Sequence, residues 1–137
     1  MAGEASPLTQ TVDVEVAAAA TGAEASGLEK APFAGTLASA SIIPLTVLTG
    51  ADTNSRTLQV FNRGQSGAGT TVMASKAFVS AVNAPAEDET SLTLSVVAGA
   101  TTVADGDVIE VQSLHVGTGL ACPQFIAKLG FSRVAGA

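Results

Sequence analysis

The chain contains one histidine and one cysteine, so covalent chemistry would have to gather around His115 and Cys122. Acyl transfer needs a nucleophile, a base beside it and donors for the developing oxyanion. Ser113 stands two positions before His115, which in a strand puts both on one face. Cys122 follows seven residues on and precedes Pro123 in an apolar turn. Neither pairing brings an oxyanion hole. The plainer reading is a strand-edge imidazole and a small buried thiol. We expect no catalytic residue here and no enzyme.

Other constellations are weaker still. The loop Gly64-Gln65-Ser66-Gly67-Ala68-Gly69 has the glycines of a phosphate cradle but lacks its lysine, and a strand follows where a helix would be needed. It reads as a surface loop. Glu87-Asp88-Glu89 and Asp105-Gly106-Asp107 could offer oxygen ligands to calcium, yet neither follows the twelve-residue calcium-loop pattern. Solvated loop tips, or contact with a basic patch on a partner, are the other readings of these acids. One His and one Cys cannot close a structural zinc site. No metal and no cofactor are expected.

Composition narrows the class. The 137 residues give room for one core, with or without a tail. Only 13% are charged, the net charge is -6, and Trp and Tyr are absent. Six Lys and Arg, scattered from Lys30 to Arg133, make no basic patch for nucleic acid. With 47% apolar residues and few charges the chain can bury a core, which argues against wholesale disorder. A single cysteine rules out an internal disulfide and suits a reducing compartment. Met1 to Gln10 lacks the basic start and apolar centre of a secretion signal, and no apolar run is long enough to cross a bilayer as a helix. No membrane and no nucleic-acid partner are expected.

The elements divide into two regions. Residues 1–38 are rich in Ala, Gly and Ser, and carry five acids (Glu4, Asp13, Glu15, Glu24, Glu29) against Lys30 alone. Within them Val12, Val14 and Val16 alternate with polar residues, a strand signature. Ala17 to Ala20 could begin a short helix, which Thr21-Gly22 would stop. This region reads as an extended arm. Residues 39–137 read as short strands: Ile42–Leu48 with Pro44, Arg56–Asn62, Thr70–Val82, Ser91–Val97, Val108–Val116 and Gln124–Val134. Gly, Asp and Asn cluster between them. Such spacing argues an all-β fold, a single antiparallel β-sandwich or jelly-roll-like domain behind an extended N-terminal arm.

The order Asp52 to Gly64, Gly67 to Val72, Val79 to Asn83, Leu92 to Ser95, Val103 to Val111 and His115 to Ala121 resembles the small capsid decoration (cement) and minor head proteins of tailed bacteriophages. The likeness spans about residues 40–134 and rests on turn and strand signatures. It implies a structural protein made in the host cytoplasm that sits on the outer surface of a capsid. It further implies the major capsid protein as partner and a homo-oligomer, a trimer foremost. The arm, which matches no motif, would then contact the partner through Leu8, Val12, Val14, Val16, Leu28 and Phe33. Extended, it could reach roughly 125 Å and add a strand to a neighbour's sheet. A second reading is a glycan- or host-surface-binding module of a head fibre or tail, touching its target through Gln65, Ser66, Glu87, Asp88 and Glu89. The absence of Trp and Tyr counts against that reading.

Overall fold

The computed structural model describes residues 7–134; residues 1–6, Glu4 among them, and 135–137 lie outside the described residues. Every regular element in it is a strand: β1 (Pro7–Val16), β2 (Ala25–Lys30), β3 (Gly35–Pro44), β4 (Ser55–Gly64), β5 (Thr71–Phe78), β6 (Thr90–Ser91), β7 (Thr93–Leu94), β8 (Thr102–Val103), β9 (Val108–Val116) and β10 (Phe125–Val134). They form two antiparallel sheets. The first runs β1-β10-β3-β6, with β8 also on β3; the second runs β2-β9-β4-β5-β7. The expected β-sandwich is therefore the fold.

Alternation sets which side chains face inward. Val14 and Val16 of β1, Phe125, Ala127, Leu129 and Phe131 of β10, and Leu37 and Ile42 of β3 are buried from one sheet. Leu58 and Val60 of β4, Met73 and Phe78 of β5, and Ile109 and Val111 of β9 are buried from the other. These residues belong to one continuous core, and the Val, Leu and Phe that fill it suit a pleated, half-buried surface. Pro44 ends β3, where its missing N–H costs the ladder least.

The arm is where the structure departs furthest from expectation. β1 pairs with β10 over all ten residues, from Pro7 opposite Val134 to Val16 opposite Phe125, with no slip. β2 pairs with β9 from Ala25 opposite Ser113 to Lys30 opposite Val108. The boundary drawn at residue 38 falls inside β3. The N-terminal region thus supplies one strand to each sheet of its own chain. The physical reason is that β10 and β9 would otherwise present bare edges and an uncovered apolar face, which Val14 and Val16 close. The two strands meet at Gly27, where a Cβ would stand 2.5 Å from the Glu15 carbonyl oxygen and 2.7 Å from a Val14 methyl. Only a glycine lets them approach so closely.

Two local expectations also change. Ala17–Ala20 forms no helix; Ala19 bridges Cys122 instead, each donating its N–H to the other's carbonyl at 2.9 and 2.8 Å. Ser91–Val97 is not one strand. It splits into β6, on the first sheet, and β7, on the second. Leu92 is buried at the crossing and Val96 is left 99% exposed.

Candidate functional site

The residues with nucleophile or base chemistry lie at one end of the sandwich, but the two nucleophiles, Ser113 and Cys122, are buried while the base, His115, is not. Ser113 is fully buried on β9. Its hydroxyl accepts from Arg56 Nη1 at 3.3 Å. Cys122 is also buried, and burial pushes its thiol pKa up, against opposing pulls from the Ser113 hydroxyl and the Arg56 charge. A protonated thiol hidden from solvent is a poor nucleophile. His115 turns outward: its Nδ1 lies 3.0 Å from the Gly117 carbonyl oxygen and its Nε2 3.7 Å from a Glu24 carboxylate oxygen.

The residue that organises this end is Arg56, which the sequence presents only as the start of a strand. Its side chain is completely buried. Nε and Nη2 donate to the Leu120 carbonyl at 3.0 and 2.6 Å. Nη1 donates to Ala23 O at 2.7 Å and Ser113 O at 3.2 Å, and Nη2 to Ala20 O at 3.2 Å. Every acceptor is a neutral oxygen. The guanidinium fork suits this task because it projects several donors in a plane. It ties the β1–β2 link and the β9–β10 loop to β4 and β9.

The glycine loop is a tether of a similar kind. Gln65 donates its amide to Asp107 Oδ1 and to the Asp105 carbonyl at 3.2 Å. The Asp107 carboxylate also accepts from Ala104 N at 2.8 Å and Asn62 Nδ2 at 3.0 Å. These bonds, the Ala104 N–H first, hold the Asp107 pKa below the usual carboxylate range although burial opposes them. Burial pushes Glu110 upward too, but hydrogen bonds from Arg63 and Gln112 and the Arg63 charge outweigh it, and its pKa is lowered. A carboxylate whose folded pKa is depressed adds stability above its unfolded pKa and loses it as pH falls through the folded value. The thermal midpoint should therefore be flat above about pH 5 and fall below about pH 4. Asp107→Asn should lower it at pH 7 and reduce that acid-dependent fall, as calorimetry at pH 7 and pH 3 would measure.

The loops expected at a glycan or partner surface are partly spent within the chain. Gln65 is engaged as described, and the Ser41 hydroxyl donates to the Glu89 carboxylate. Asp88 accepts from Glu89 N at 2.8 Å. Ser66 and Glu87 are exposed, and Glu87 stands at a φ of 55°. No three His, Cys, Asp or Glu among the described residues cluster as a metal site. Of the arm residues, Val14 and Val16 are core, Val12 and Phe33 are half-buried, and Leu8 and Leu28 are exposed.

What the sequence did not single out is a group of exposed aliphatics on the first sheet. Ile43 and Ile126 are cross-strand neighbours on its outer face. With Pro44, Leu45, Phe125, Gln124 and Glu87 they line an apolar groove of about 260 Å³. Leu45 is 62% exposed and Ile126 39%, and Val47 beyond them is exposed as well. Alternation alone marks Ile43 and Ile126 as outward-facing, but only their pairing shows that the two share one patch.

No family model and no curated protein matches the chain. Among solved structures the chain is similar to one of infectious bursal disease virus, Gx strain, at 11% identity and a TM-score of 0.43. That match covers 96% of this chain and 33% of the other, so the chain spans about a third of its neighbour's length.

Proposed function

We propose that the chain is a virion structural protein that binds the outer surface of a phage capsid and stabilises it, without catalysing a reaction. The observation that carries the reading is the apolar groove at Ile43, Pro44, Leu45, Phe125 and Ile126, with Leu45 standing open beside it. Exposed aliphatics clustered around a groove mark a surface meant to be covered. The resemblance to decoration proteins supplies the partner, the major capsid protein.

A cement protein must be stiff and must hold a repeated site. The stiffness comes from the two-sheet core and from the Arg56 and Asp107 tethers. The grip comes from apolar area, with each aliphatic side chain that becomes buried worth about 1.5–3 kcal/mol. In a homo-oligomer several copies of the groove would engage one shell together, and avidity would multiply a modest single-site affinity.

The test is co-sedimentation of the purified protein with heads of its own virus that lack it. The double variant Leu45→Ser/Ile126→Ser should fold normally, since both side chains are exposed. It should bind at least about a hundredfold more weakly and no longer raise the temperature at which the heads break. Unchanged binding by this folded variant would overturn the reading.

A further inference from the structure

We infer that the open edge of β1 is a contact between two copies of this chain, which pair antiparallel over Leu8–Val12 about a two-fold axis at Gln10. Among the described residues β1 hydrogen-bonds to β10 alone and ends its sheet, so one side of the strand is unpaired. The far ends of the two sheets are different: β6, β7 and β8 are two residues each. Short, interrupted strands are the usual way to blunt an edge, and a ten-residue strand is not blunted.

The chain's own chemistry selects the occupant and the register. The C-terminal end of β1 is closed off by β2, whose Gly27 lies against Glu15. What remains open is Leu8-Thr9-Gln10-Thr11-Val12, which carries no charge. Asp13, just beyond it, is paired with Lys128 at 2.9 Å. A two-fold at Gln10 sets Thr9 opposite Thr11 of the second copy, Leu8 opposite Val12, and Gln10 opposite itself. Leu8, 41% exposed, gains an apolar neighbour on the strand that joins it. Asp13 falls opposite Pro7, whereas an axis at Asp13 would set two carboxylates together. Residues directly opposite in an antiparallel pair share a face, so the two sheets would continue as one. β2, which ends the second sheet with six residues, carries Glu29 and Lys30, whereas the open part of β1 is uncharged; a two-fold that pairs β1 with itself is isologous and closes at two copies.

One short strand pair makes a small interface of the transient class, under about 1,200 Å². Its signature is a mass that rises with concentration. Sedimentation of the full-length chain from about 10 µM to about 1 mM should move from one copy to two. Gln10→Lys would set two ammonium groups against each other and should weaken the dimer at least about fivefold, while Gln10→Val should tighten it about threefold. Both substitutions are at one exposed side chain, Gln10, so the monomer's thermal midpoint should stay within a few degrees. The proposal is overturned by a mass that stays at one copy at about 1 mM, by a dimer indifferent to both substitutions, or by a threefold species.

Discussion

Deleting residues 1–16 is expected to leave a chain that does not fold. The deletion removes all of β1, and with it the ten register pairs to β10. Val14 and Val16 leave the core, each worth about 1.5–3 kcal/mol in burial, and the apolar face of Phe125, Ala127, Leu129 and Phe131 loses its cover. The bared edge of β10 would then be a template for other chains. A small domain is stable by only about 5–15 kcal/mol, so losses on this scale are decisive. The expected product is insoluble, or soluble without the near-ultraviolet and proteolytic signs of a packed core. A free arm would predict the reverse, a truncated chain that melts like the parent.

Arg56→Met should also destabilise the chain, although it replaces a charge with an apolar side chain of similar length. Four backbone carbonyls, of Ala20, Ala23, Ser113 and Leu120, take their donors from this guanidinium. Without it Leu120 O and the buried Ser113 lose these donors and face an apolar side chain, while Ala20 O keeps the Ala23 N–H at 2.9 Å and the exposed Ala23 can turn to water. Each unsatisfied polar group costs about 1–3 kcal/mol, and a loss of about 2–4 kcal/mol follows from the groups at Leu120 and Ser113 if the loops do not rearrange to reach water. Arg56→Lys should recover only part of this, since an ammonium cannot send a planar fork to acceptors on three segments. Urea unfolding of the three proteins would rank them parent, then Lys, then Met. Equal midpoints would mean that the β1–β2 link and the β9–β10 loop are held by other means.

The contrast between these residues shows what the sequence could and could not disclose. β9 and β10 were legible almost to the residue, because Val108–Val116 and Phe125–Val134 alternate against a core on one side only. β1 was legible as a strand but its partner was not. Alternation says that a segment is extended and says nothing about which edge it joins, so an Ala- and Gly-rich stretch beside it invited the reading of an arm. Ser91–Val97 failed for a related reason: its alternation is real, but the chain changes sheets at Leu92, which period-2 spacing cannot signal. Arg56 was invisible as an organiser because its acceptors are main-chain carbonyls, one of them 64 positions away. The groove at Leu45 and Ile126 needed the β3–β10 register to appear at all. The side chains with nucleophile chemistry were visible from the start, and the buried thiol of Cys122 was expected, but the burial of Ser113 beneath Arg56 could be read only in three dimensions.

The pairing of the first strand with the last has a consequence for how the molecule is made. Glu15 bonds to Gln124 across 109 positions, and Asp13 to Lys128 across 115. The first sheet therefore cannot close until β10, more than a hundred positions after β1, has left the ribosome. β1 must wait for β10 to be synthesised, and closing so long a loop carries its entropy cost before any contact repays it. Folding is thus slow for a β-sandwich of this size, and until β10 arrives β1 has no partner of its own.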